Sequence, residues 1–356
     1  MLEIMPNTAE CFYFWSIDPN WDIIKNHSFT SDYVLLFVLD TLQYNEEYDF
    51  YRQARTHNAQ VILDIATQNK DKLFIVSTML DGLVAEINLP NVKLICHGGL
   101  QLEYSDTIKL PLILNKDLNS EYTYLSLNRG PRINRVVAAS YLLGKNIEKY
   151  GYISFDQTKI NSINDWLDIC NWTLTEKQSA DYSKIITSGF QKLKQGAIIH
   201  SVTAVDELYK KSLNSNTINF KNYLSKLYEK TFVQIVTETS FCEPSIFATE
   251  KFLYSIYGAS FPILLAPAGT VNHFRKIGFD MFDDIIDHSY DTILNPLDRL
   301  VTAIDSNLEL LINSSKTKEL WLNCQHRFVK NSDFARENMY TYYSETSLTS
   351  LKDILV

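Results

Sequence analysis

Thr249, Glu250 and Lys251 are the residues whose types and spacing most directly suggest chemistry. An apolar run at 231–236 (TFVQIV) ends in a polar loop bearing Glu238, and the chain then reaches a stretch of helical character at 250–257. A hydroxyl, a carboxylate and an ammonium gathered at a helix start beyond the carboxyl end of a strand suit an anion. The helix N-terminus presents positive partial charge there, and Lys251 adds a full one. A diphosphate fits that place, and Glu250 offers two acceptor oxygens suited to a ribose diol. The same residues also read as plain helix-start chemistry, with Glu250 opposing the dipole and Lys251 on the surface. A second loop of the same kind, from Ala266 through Pro267, Ala268 and Gly269 to Thr270, joins a strand at 261–266 to a helix at 271–277. Its Pro and Gly permit a tight turn and close backbone approach to a ligand.

Asn128, Arg129 and Arg132 form another candidate cluster, because a strand-end loop again leads into a helix. The rigid fork of arginine suits a diphosphate leaving group better than a lysine does, while Arg132 and Arg135 also read as surface positions of that helix. No Asp-x-Asp in a loop suggests a metal-bridged diphosphate. His27, His57, His200 and His326 lack metal-ligand spacing, so no metal and no bound cofactor is expected; His273 lies beside the second loop.

The elements that must position these residues alternate. Short apolar runs at 11–15, 32–39, 72–77 and 92–96, with a helical pattern at 48–66, are the signature of βαβ units and a mainly parallel sheet. Pro111 and residues 115–121 read as a linker. Beyond it, strands are expected at 122–127 and 150–155 and a helix at 132–143, with Pro131 suited to its first turn. Residues 156–213 read as an insertion of mixed polar loops, and 298–314 and 318–329 as two amphipathic helices. The expectation is an α/β chain of two Rossmann-like doubly wound domains facing across a cleft, 1–118 and 119–330, with a tail at 331–356 returning to the first.

Length and composition agree with that division. At 356 residues the chain exceeds what one core usually organises, and its 46% apolar content is that of a folded protein. No apolar run approaches membrane-spanning length, and the first twenty residues lack a signal pattern, so a cytoplasmic protein without membrane insertion is expected. Five scattered cysteines, none in a C-x-x-C pair, point to free thiols. A net charge of −9 excludes a generally basic surface, although residues 184–230 are locally rich in lysine.

The ordered set Glu238-Thr-Ser, Phe247-Ala-Thr-Glu-Lys251, Pro262-Ile263 and Gly269 resembles the donor-binding half of GT-B glycosyltransferases, most specifically the fucosyltransferase type. That family places Asn where Thr239 stands, and the 12 positions from Glu238 to Glu250 are a couple more than its usual spacing. The resemblance covers about residues 122–314; the run 278–291 resembles one in bacterial and phage glycosyltransferase-like proteins. It implies a nucleotide-sugar donor, with Lys251 on the diphosphate, Glu250 on the ribose and Glu238 near the transferred sugar. Gly269 and Thr270 would belong to the same donor site. An inverting reaction would also need a general base from the strand ends of the first domain, where Asp18, Asp40 and His97 stand; each also reads as a turn residue closing a strand. The acceptor is a saccharide or, in a phage variant of this function, hydroxymethylated cytosine in DNA. A nucleotide-binding protein without catalysis is the rival from another class.

Overall fold

The computed structural model describes residues 10–14, 21–38, 60–78, 89–96, 110–128, 133–155, 176–196, 220, 224–238, 241, 246 and 249–338. Contacts divide the chain into two units, one built on Met1–Gln101 and the other on Leu102–Cys242 with Ala248–Met339.

The first unit holds strands β1 (Glu10–Phe14), β2 (Tyr33–Val38), β3 (Leu73–Thr78) and β4 (Val92–Cys96), with helix α1 (Asp22–Lys25) and a helix at 60–68, α2. The four strands are all parallel and lie in the order β1-β2-β3-β4. The doubly wound arrangement expected for this half is therefore not what its described strands form, because their order never reverses. Val61, Ile62, Ile65 and Ala66 make the apolar stripe of α2 and pack with Val34, Leu36, Phe74, Val76 and Val92. Leu35 and Ile75, pointing to the other face, are buried as well, as a parallel sheet requires. The Asn91 side chain pins the end of α2 by donating to the carbonyls of Ala66, Asn69 and Lys72.

In the second unit, strands β5 (Tyr124–Asn128), β6 (Gly151–Phe155), β7 (Val233–Thr237) and β8 (Phe261–Leu265) are parallel in the order β6-β5-β7-β8. The chain leaves β5 to one side for β6 and returns to its other side for β7. The sheet is thus doubly wound, with its topological switch point between β5 and β7. Helices α3 (Ile133–Gly144), α4 (Glu176–Lys194), α5 (Ser225–Tyr228), α6 (Glu250–Tyr257) and α7 (Thr270–Ile277) surround it. Every residue of β7 and β8 is buried. Pro262 is tolerated because odd residues of β8 face β7, with Phe261 N–H donating to the Phe232 carbonyl, while even ones face outward. On that outer side the Leu264 N–H donates to the buried Tyr290 hydroxyl.

Three expectations need correction. The stretch 156–213 is not loops throughout, for α4 occupies 19 residues of it and packs Ile186, Phe190 and Leu193 inward. The helices expected at 298–314 and 318–329 are four: α8 (Pro296–Asp305), α9 (Leu308–Ile312), α10 (Ser314–Asn323) and α11 (Gln325–Glu337). Asparagines mark the first two breaks, since the Asn307 side chain turns to the Ala303 and Asp287 carbonyls and Asn313 caps α10 by accepting from the Lys316 N–H, while the third falls at Cys324. Finally, residues 110–123 belong to the second unit, where Ile113 and Asp117 donate to the Tyr257 and Glu229 carbonyls. The unit boundary accordingly falls before residue 118, and α11 runs unbroken across 330. Among the described residues no helix is long and apolar enough to cross a membrane.

Candidate functional site

The switch point of the second sheet is where an open α/β fold gathers ligand-binding groups, outside the carboxyl ends of the strands. Asn128 ends β5 and Thr237 ends β7, and they meet there through a 3.0 Å bond from the Thr237 hydroxyl to Asn128 Oδ1. Asn128 is fully buried, and its Nδ2 donates to the Ser126 hydroxyl and carbonyl, so this side chain knits the strand ends together.

Glu238 follows directly. Its backbone is held from both sides, the N–H donating to the Leu265 carbonyl and the carbonyl accepting from Asn134 Nδ2 at 2.7 Å. Its carboxylate is wholly buried and accepts twice from Thr249, from the N–H at 3.1 Å and from the hydroxyl at 2.5 Å. Burial pushes the Glu238 carboxyl above its ordinary range, against the opposing pull of the Lys251 charge and the Thr249 bonds.

Thr249 is the N-cap of α6, in extended conformation, with its hydroxyl accepting from the Lys251 N–H. The same hydroxyl oxygen accepts from Lys251 Nζ at 2.8 Å, and Nζ also meets Glu250 Oε1 at 2.9 Å. The Glu250 and Lys251 side chains are 19% and 20% exposed, so this cluster reaches solvent at the end of an otherwise buried helix. The arrangement brings one ammonium, two carboxylates and the positive end of a helix together beside the switch point.

The second loop is differently employed. Gly269 has φ +86, which only glycine adopts without strain, and caps α7. The first-turn N–H groups of that helix are taken by Asp291, whose two oxygens accept from Val271 and Asn272 at 3.0 Å each while its carbonyl accepts from Gly269. Thr270 turns its hydroxyl back to the Pro267 carbonyl. A carboxylate of the protein thus already holds the anion position at α7.

No family model matches the chain, and no curated protein matches it. One solved structure is similar. It is a glycosyltransferase from Rickettsia africae ESF-5, 10% identical, with 96% of this chain and 99% of that chain covered and a TM-score of 0.33.

Of the residues expected at the site, Glu238, Thr249, Glu250 and Lys251 come together, Asn128 is bonded to Thr237 next to Glu238, and Gly269 and Thr270 form the turn into α7. Arg129, Arg132, Asp18, Asp40 and His97 lie outside the described residues. His273 is half-buried on α7 with its ring against Phe274. Among the described residues no cluster of three or more His, Cys, Asp or Glu is gathered as a metal site would need.

Sequence reasoning missed three residues. Arg299 is 2% exposed and donates to the carbonyls of Ala266, Ile293, Leu294 and Phe241, tying the loops that follow β7 and β8. Asn134 fixes Glu238, and Asp291 caps α7. Asp291 had a signal, since it closes the acidic run 278–291; a buried arginine inside an amphipathic helix pattern had none.

The remainder of that run is also structural. Asp280 holds Arg327 by two bonds, Asp283 holds Arg275, and His288 bonds the Met281 carbonyl and the Tyr290 hydroxyl.

Proposed function

We propose that this chain is a glycosyltransferase that takes a nucleotide-sugar donor at the carboxyl edge of β5 and β7 and passes its sugar to a saccharide hydroxyl. The observation that carries the reading is the Lys251 ammonium held at the first turn of α6, beside a topological switch point. When the sugar leaves, negative charge develops on the departing diphosphate, and preorganised positive groups are the largest lever on that step. The Lys251 ammonium supplies the positive charge, and the positive end of the α6 dipole adds to it. Glu250, partly exposed at the same turn, accepts from the ribose hydroxyls.

Under this reading Arg129 and Arg132 add charge from the loop between β5 and α3, and Gly269 and Thr270 shape a neighbouring turn without meeting the diphosphate. An inverting reaction would use Asp40 or His97, the residues following β2 and β4, as base. The donor needs no metal in this scheme.

The test is a thermal-shift screen of UDP-, GDP-, CMP- and dTDP-sugars. A donor at 100 times its Kd adds about 2.7 kcal/mol to native stability, so one class is expected to raise Tm clearly. The Lys251→Ala protein should keep its unliganded Tm and lose most of that rise. If no sugar nucleotide shifts the wild-type protein, or if the variant responds undiminished, the donor site is misplaced.

A further inference from the structure

Glu238 and Thr249 matter beyond their own burial because of the direction their hydrogen bonds impose. In its ionised form the Glu238 carboxylate can only accept, and both of its contacts with Thr249 are then donated by Thr249, through the N–H and the hydroxyl. The single hydroxyl proton of Thr249 is committed to Glu238, and its lone pairs are thereby turned toward the Lys251 N–H at 3.4 Å and the ammonium at 2.8 Å.

We propose that Glu238 and Thr249 act as a positioning relay for Lys251: the buried carboxylate orients the Thr249 hydroxyl, and the oriented hydroxyl fixes the ammonium at the N-terminus of α6. This inference rests on the donor-site reading for its functional consequence, and on the hydrogen-bond directions alone for its structural part. It assigns Glu238 a role behind the site, out of reach of a sugar, because the residue is 0% exposed and both oxygens face Thr249. It also explains why a carboxylate is kept where burial opposes its charge. An amide of the same size would donate to the Thr249 oxygen from its NH2 group, reversing the hydroxyl and aiming its proton at Nζ.

The experiment follows Lys251 itself, by NMR of the full chain labelled at lysine Cε, with the resonance assigned through Lys251→Arg. Glu238→Gln and Thr249→Val are each expected to move that resonance to the position of a solvated lysine, while Thr249→Ser leaves it in place. A cooperative unfolding transition in Thr249→Val, with Tm lowered by no more than the loss of one helix cap, keeps the test valid if the more deeply buried Glu238→Gln fails to fold. Donor kcat/KM should fall roughly tenfold in both disruptive variants, the equivalent of one charge-assisted hydrogen bond, with most of the loss in kcat because the charge on the diphosphate develops as the sugar leaves. A Lys251 resonance unmoved in both Glu238→Gln and Thr249→Val overturns the relay whatever the activity. A resonance that moves in a protein that binds no sugar nucleotide upholds the relay and overturns the donor reading instead.

Discussion

At the scale of single residues, Lys116 is, with Arg299, one of the two buried cations of the second unit that bond four oxygens among the described residues. It is 7% exposed, and its Nζ donates to the carbonyls of Tyr228, Thr231 and Gly258 at 2.9, 2.5 and 2.7 Å and to the Ser260 hydroxyl at 3.1 Å. The rings of Phe232 and Trp321 flank it at 5.6 and 5.5 Å, and burial pushes its pKa well down. Lys116→Met would keep the apolar stem and strip the ammonium from four buried oxygens, so a loss of about 3 kcal/mol is expected in urea unfolding. A loss below about 0.5 kcal/mol would mean that those oxygens are satisfied otherwise. In the first unit, Glu10 accepts from the N–H groups of Thr30 and Ser31, the Thr30 hydroxyl and His27. Burial works to raise its pKa, but these donors prevail and bring it down to about 2. A carboxylate with a depressed folded pKa stabilises fully above its unfolded value, near 4.5, and that contribution is lost as pH falls toward 2. Tm measured against pH should therefore show Glu10→Gln less stable than wild type at pH 6, with the two curves converging between pH 4.5 and 2. Parallel curves would show that the carboxylate is not paired in solution.

At the scale of elements, the contact of α3 with α4 depends on two glycines. A Cβ at Gly189 would stand 1.7 Å from the Ser140 carbonyl oxygen, and one at Gly144 would stand 2.1 Å from the Ile185 carbonyl oxygen. Replacing a mid-helix glycine by alanine gains about 1 kcal/mol of helix propensity, whereas forcing backbone apart costs about 1–3 kcal/mol or more. The clash wins, and Gly189→Ala is expected to lower the urea midpoint without changing the slope; a raised midpoint would mean that the helices are not in backbone contact. This is also where sequence reading fell short. Ile186, Phe190 and Leu193 do recur at helical spacing, but they form a narrow stripe in a polar stretch, and its partner surface on α3 is some fifty positions away. By contrast β4 and α6 were legible to the residue, because an apolar run and a helix start are written in adjacent positions.

At the scale of the whole molecule, each unit carries its own parallel sheet and buried core, and the candidate donor groups all belong to the second. Donor binding should therefore protect amides unequally. Hydrogen exchange with a bound sugar nucleotide is expected to slow most at residues 237–238 and 249–253, with little change across β1 to β4. Protection centred on the first unit would relocate the donor.

The parallel α/β class, the strands and the triad Thr249, Glu250 and Lys251 follow from sequence alone, since each depends on side chains a few positions apart along one chain. Tertiary structure decided how those groups are used. Glu238 reaches Thr249 across 11 positions, Asp291 reaches Val271 across 20, and Asn134 reaches Glu238 across 104. Hydrogen bonds of that span depend on how loops close over the sheet edge, which no local periodicity encodes. They left the start of α7 filled by the Asp291 carboxylate and the start of α6 carrying the Lys251 ammonium between Thr249 and Glu250, with Glu238 buried behind them.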